Sequence, residues 1–214
     1  STTFAINNAY SDIASGLAET ILVVNPEIST PAVNFGKRDI HFIFGDGCVA
    51  TIIKKGSNSK NSFKIIDRKL ITQFSNNIRS DWSYLARTAS DYKTSDDLIF
   101  NQNGSSVFKE VCPLVAEFIS TQLEKNNIKP NEISKFWLHQ ANSRMINLIV
   151  SKVIGSDDFD TSLAPLPIEK FGNLASAGSM FSFNLNNDLK KGEKGIICSF
   201  GAGYSVCSLL VEKL

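Results

Sequence analysis

One of the two histidines in this sequence, His139, lies inside KFWLHQANSRM, where an apolar strand-like run gives way to a helix-like one. In α/β folds the carboxyl ends of strands open into the ligand crevice, so a polar side chain at such a junction is placed to work. Near neutral pH its imidazole can donate or accept a hydrogen bond. The second candidate is Asn173, flanked by Gly172 and by the small run Ala175-Ser176-Ala177-Gly178-Ser179. Small residues let backbone come close to a ligand, and an amide offers two donor hydrogens that do not ionise. On position alone, a satisfied half-buried histidine and an ordinary turn asparagine explain these residues at least as well.

Other patterns fail their own tests. Gly45-Asp46-Gly47 resembles a dinucleotide-binding glycine loop, but the residues after it read as a strand, whereas such a loop must open a helix that receives the pyrophosphate. The Gly201 to Gly203 turn fails in the same way. The sequence has no nucleophile elbow, Walker loop, HExxH or EF-hand loop.

The elements that would position the two residues can be read from periodicity. Residues 3–16 have helical spacing and end on Gly16, and TILVVNPE (20–27) reads as a buried strand. Residues 41–55 read as strand, glycine turn and strand, with KKGSNSKNS (54–62) as the likeliest boundary. A strand near 63–74 precedes a weakly patterned stretch, NNIRSDWSYLARTASDYKTSDD, expected to be a binding or covering loop. Val107 to Lys125 is an amphipathic helix in which Pro113 predicts a bend or a late start. KFWL (135–138) is a strand, 143–155 a helix stopped by Gly155, and 171–191 a tight turn running into a helix. Two strands around glycines close the chain at 195–214. IFGDGCVATII and SFGAGYSVCSLLV echo one another, which suggests a duplicated unit whose halves end in the same hairpin.

Composition narrows the class. With 214 residues, 43% hydrophobic, and 22 basic against 21 acidic side chains, the chain can build a sizeable core and shows no bias toward nucleic acid or an anionic membrane. No apolar run reaches membrane-spanning length and no signal pattern opens the sequence, so a soluble, cytoplasmic protein is expected. Cys48, Cys112, Cys198 and Cys207 are scattered without CxxC pairing and are read as core residues, not a disulfide framework or zinc site.

Taken together, WLHQANSR, FGNLASAGS and CSFGAGYSVCSLLV resemble the C-terminal half of β-ketoacyl-acyl carrier protein synthase III, of the thiolase superfamily. The opening residues and RDIHFIFGDG resemble the segment just after that family's catalytic cysteine, while TQFSNNIRSDW and FWLHQAN point to its longer branch. The likeness spans essentially the whole chain. It implies an α/β, thiolase-like layered fold: an incomplete first repeat, 1–58, forming the end of the N-terminal half, and a complete second repeat, 59–214, forming the C-terminal half. The implied reaction is decarboxylative Claisen condensation of an acyl-CoA with malonyl-acyl carrier protein, without metal or redox cofactor, by a homodimeric parent enzyme.

By motif match, His139 and Asn173 would stabilise the enolate oxygen, and the backbone N–H of Ala202 would serve as the oxyanion donor. Arg38, Gly104, Phe108, Ala141 and Asn142 would line the CoA and pantetheine path, and Arg144 would dock the acidic carrier protein. Two departures from the pattern stand out. Leu174 to Ser179 followed by Met180 replaces the family's Thr-Ser-Ala-Ala-Ser-Pro, and alanine replaces glycine at 202. The resemblance also sets the start of the chain just past the nucleophilic cysteine. None of the four cysteines matches that position, so the chain alone is expected to be an inactive part of a longer enzyme. A non-catalytic subunit that shapes a complete partner's acyl pocket is the alternative.

Overall fold

The computed structural model describes residues 2–36, 40, 42–56, 59, 61–80 and 100–214. Helix α1 (Thr2–Ala14) buries Thr2, Thr3, Ile6, Ala9 and Ile13, and Gly16, at φ +81°, turns the chain out of it. Strands β1 (Thr20–Glu27) and β2 (Gly47–Lys54) then pair antiparallel, with Leu22 opposite Ile52 and Val24 opposite Ala50. Contrary to the expectation of a buried strand, β1 is covered on one side only. Leu22, Val24 and Ile52 are 61%, 55% and 67% exposed, while the other face, with Val23, Val49 and Ile53, packs on a core. The run is apolar on both faces, but among the described residues only one face has a covering layer.

The first limb expected over 41–55 is also absent as a strand. Residues 42–43 are a turn, and Phe44 makes a single parallel bridge to Asn173, because Ile43 and Gly45 spend their backbone bonds on that distant segment and not on β2. The echoed Phe-Gly-x-Gly therefore closes a hairpin only in its second copy.

Strand β3 (Phe63–Ser75) comes next, and β4 (Ile78–Arg79) pairs with β5 (Asn101–Gln102). The long run read as a covering loop lies largely at 81–99, outside the described residues. Helix α2 (Gly104–Lys125) begins before Val107 and not late. Asn103 caps it by accepting from the Ser106 N–H at 3.1 Å. Pro113 sits on its exposed side, while Val111, Cys112, Val115 and Ile119 are buried to 1% exposure or less. Apolar burial on that scale outweighs the backbone bond that proline removes.

Beyond α2 come β6 (Ile133–Leu138), α3 (Ser143–Ile154), α4 (Ile168–Phe171), α5 (Gly178–Leu185), β7 (Lys194–Gly201) and β8 (Gly203–Lys213). The main sheet runs β3-β8-β7-β6, with β6 parallel to β7 and the other pairs antiparallel. On one face α2 and α3 bury Phe136, Leu138, Ile149, Val206 and Leu210. On the other, Trp137, Met180, Ile197 and Leu209 pack with α1 and α5, and the rings of Phe63, Trp137 and Phe183 meet edge to face. Helix α1 thus touches β1 and β2 on one side and β7 and β8 on the other. The layers are helices, main sheet, helices and the β1-β2 pair.

Cys112, Cys198 and Cys207 are buried as expected, but Cys48 is exposed on the open face of β2. Among the described residues no helix is long and apolar enough to cross a membrane.

The open face of β1 and β2 should drive self-association, visible as scattering that rises with protein concentration. The double variant Leu22→Glu, Ile52→Lys sets opposite charges across the register and should lower that scattering while leaving the circular dichroism spectrum unchanged.

Candidate active site

His139 is held at the end of β6 because the strand pairing continues one residue further: its N–H donates to the Cys198 carbonyl at 2.8 Å. The chain then turns, with the Ala141 N–H donating to the His139 carbonyl at 3.0 Å, and Asn142 caps α3 by accepting from the Arg144 N–H at 2.8 Å. His139 is only 8% exposed, with Phe200 edge-on at 5.0 Å. Its Nδ1 is buried without a hydrogen-bond partner among the described residues. Burial disfavours the imidazolium and lowers the pKa to about 4, against a weaker opposing hydrogen bond with the Ala175 backbone. At neutral pH the ring is uncharged.

Asn173 arrives from another part of the chain. Its N–H donates to the Ile43 carbonyl at 2.7 Å, and its carbonyl accepts from the Gly45 N–H at 3.1 Å. This crossing requires glycine on both sides. A Cβ on Gly45 would collide with the Phe171 carbonyl, and one on Gly172 would come within 2.9 Å of the Ile43 carbonyl. Gly172 also has φ +71°, a conformation that side chains other than glycine rarely take. The Asn173 side chain is fixed as well. Its Oδ1 accepts from the Ala175 N–H at 3.0 Å, which sets the orientation of the amide, and among the described residues Nδ2 makes no hydrogen bond.

The two side chains line one cleft of about 760 Å³. Phe44, Phe100, Phe108, Val111, Met145 and Phe200 supply much of its apolar wall, and Glu27 is the one other ionisable residue among the described lining residues. Gly104 and Phe108 from α2, Ala141 and Asn142 from the β6-α3 turn, and Ala202 from the β7-β8 turn all reach it. Asn142 has its Oδ1 committed to the cap. Arg144 is exposed on the first turn of α3 and does not line the cleft. Arg38 lies outside the described residues. No cysteine lines the cleft, and burial pushes the Cys112 and Cys207 thiols up to about 11 and the Cys198 thiol upward as well.

Several polar residues of this region were not singled out from the sequence. Ser176 donates to the Glu27 carboxylate and to Asn25, and Thr2 Oγ1 donates to the Ser176 carbonyl at 2.7 Å. Ser199 and Ser179 share a buried hydroxyl contact at 2.6 Å beside Phe200. Glu27 ends β1, so the rule that drew attention to His139 could have found it.

Known proteins resemble this chain in sequence and in fold. A model of the 3-oxoacyl-[acyl-carrier-protein] synthase III C-terminal region matches residues 123–213, and one of 3-oxoacyl-[acyl-carrier-protein] synthase III matches residues 1–73. The chain is 44% identical to a beta-ketodecanoyl-[acyl-carrier-protein] synthase of Pseudomonas aeruginosa, covering 100% of this chain and 61% of that protein. It is 26% identical to a beta-ketoacyl-[acyl-carrier-protein] synthase III of Helicobacter pylori, covering 97% and 63%. The crystal structure of the Aquifex aeolicus 3-oxoacyl-[acyl-carrier-protein] synthase III superposes with a TM-score of 0.81 at 24% identity over 99% of this chain and 63% of that one. A Thermus thermophilus synthase III superposes with a TM-score of 0.81 at 21% identity, covering 100% and 64%. The architecture is the thiolase-like α/β fold, and the chain spans a little over three fifths of the length of these relatives.

The crossing and the buried imidazole each have a measurable effect on stability. Gly45→Ala should destabilise the chain by about 1–3 kcal/mol in urea titration, since backbone on both sides resists the added methyl. The folded pKa of His139 lies below its unfolded value of 6.5, so the unfolded state binds the extra proton between pH 6.5 and about 4. His139 costs nothing above that window, and its contribution removes about 3 kcal/mol as pH falls through it. A His139→Gln variant should lose that part of the acid sensitivity.

Proposed function

The chain belongs to the 3-oxoacyl-[acyl-carrier-protein] synthase III family of the thiolase superfamily, and from that premise we propose that its cleft stabilises the enolate of a decarboxylating malonyl thioester. The parent reaction is condensation of an acyl-CoA with malonyl-acyl carrier protein. The carboxylate of the malonyl group leaves as carbon dioxide, and its bonding electrons pass into an enolate on the thioester oxygen. His139 and Asn173 donate hydrogen bonds to that oxygen. The enolate carbon then attacks the acyl thioester carbonyl, a carbon–carbon bond forms and the acyl group's thiol leaves. The Ala202 backbone N–H serves the oxyanion of this second step.

What supports the reading is the convergence of an uncharged imidazole and an amide with unspent donors on one largely apolar cleft. Neutral donors suit a developing anion, because in a dry site they add no further charge to be desolvated. Gly104, Phe108, Ala141 and Asn142 fit the path of a pantetheine arm, and exposed Arg144 fits a dock for an acidic carrier protein. Arg38 is assigned to the CoA end on motif match. The parent is assigned as a homodimer, with residues 1–58 as the end of its N-terminal thiolase-like half and 59–214 as its C-terminal half.

None of the four cysteines lines the cleft, which supports reading the acyl nucleophile as a residue other than these. That observation also favours a second reading, a non-catalytic subunit shaping a partner's acyl pocket. Carbon dioxide release from malonyl-acyl carrier protein separates the two. Condensation by this chain alone is not expected, but decarboxylation needs only the two donors, so it should occur and should fall by about 10²–10³ in each of His139→Ala and Asn173→Ala. Release that is undiminished in both variants would overturn the assignment, and no release by the unaltered protein would favour the non-catalytic subunit.

A further inference from the structure

We infer that Gln140 is a positioning residue that sets the spacing between His139 and Asn173, an inference that rests on the enolate-stabilising reading above. Gln140 comes directly after His139, yet its side chain points away from the cleft into the protein, where it is 1% exposed and does not line the cleft. Both ends of its amide are committed. Nε2 donates to the Leu138 carbonyl at 2.9 Å and to the Pro165 carbonyl at 3.3 Å, while Oε1 accepts from the Ile168 N–H at 3.2 Å. Leu138 is the last residue of the strand that carries His139, and Ile168 is the first residue of α4, which ends directly before Gly172 and Asn173.

The same residue meets the far side of the asparagine turn. A Cβ on Gly178 would lie 3.1 Å from Gln140 Cβ and 3.2 Å from its backbone nitrogen. The segment carrying Asn173 is therefore held on Gln140 from both ends: by hydrogen bonds where α4 starts and by van der Waals contact where α5 starts. The crossing at Ile43 and Gly45 fixes Asn173 to the first part of the chain, and Gln140 fixes it to the strand end bearing the imidazole. Two donors must meet one oxygen in a shared geometry, so a displacement of about 1 Å from loss of this tie costs on the order of 100-fold in rate.

The test is carbon dioxide release from malonyl-acyl carrier protein by Gln140→Met and Gly178→Ala, each alone and combined with Asn173→Ala. Gln140→Met keeps the length and removes the hydrogen bonds. Gly178→Ala presses on Gln140 from the other side at a helical backbone position with ordinary φ, so it retains the fold if the first variant does not. In the unaltered background each should lower kcat, Gln140→Met by about 100-fold, with KM changed by less than about twofold. In the Asn173→Ala background neither should lower kcat further, because the spacing no longer matters. A merely structural role would give the same loss in both backgrounds and would overturn the inference, as would an unchanged kcat in the unaltered one. If the unaltered protein releases no carbon dioxide, the reading of the cleft falls, and this inference with it.

Discussion

The site depends on a place where two backbones cross at glycine. Residues 43–45 and 172–173 exchange hydrogen bonds from Asn173 N–H to the Ile43 carbonyl and from Gly45 N–H to the Asn173 carbonyl. The approach is close enough that a methyl group on either glycine would strike a carbonyl. This crossing ties the part of the chain that holds the β1-β2 pair to the part that holds the main sheet, at the residue whose amide enters the cleft. Its backbone bonds lock Asn173 in place, and the bond from the Ala175 N–H to Oδ1 chooses which end of the amide is free. Specificity of orientation is thus built from groups that cannot ionise and have little freedom to relax.

His139 is governed by a different constraint. It is buried beside the Phe200 ring, and burial keeps it neutral where an exposed histidine would be partly charged. The cost of that environment is an unpartnered ring nitrogen, which a folded protein tolerates only where something else is to be gained. The main sheet supplies the rigidity: the strand that ends at His139 is buried between the α2-α3 layer and the α1-α5 layer, with Trp137 and Phe136 facing opposite sides.

Much of this is legible in the sequence. β6, α3 and the closing β7-β8 hairpin announce themselves as apolar runs bounded by Asn142, Gly155 and the glycines at 201 and 203. His139 and Asn173 stand out through position and motif, and the cleft gathers them together with Gly104, Phe108, Ala141, Asn142 and Ala202. The hidden part is non-local. Phe44 belongs to no strand because its partner is Asn173, and Ser176 reaches Glu27 and Asn25 across most of the sequence. The exposure of Leu22, Val24 and Cys48 is invisible in the sequence because an apolar run does not say whether a neighbour covers each face. Of the bend or late start expected for α2, the late start is not seen: Asn103 caps the helix ahead of Gly104, and the apolar burial along its inner face offsets the bond that Pro113 removes.

Helix α1 has an implication for how the molecule is made. It lies against β1 and β2 on one side and against β7 and β8 on the other, and Thr2 reaches the Ser176 carbonyl, so part of its packing involves segments synthesised long after it. On a ribosome the side of this helix that faces the main sheet must wait, uncovered, until β7 and β8 have emerged. The contact between α1 and the main sheet therefore closes late, and nascent chains interrupted before Gly203 leave Ile6 to whatever holdase is at hand.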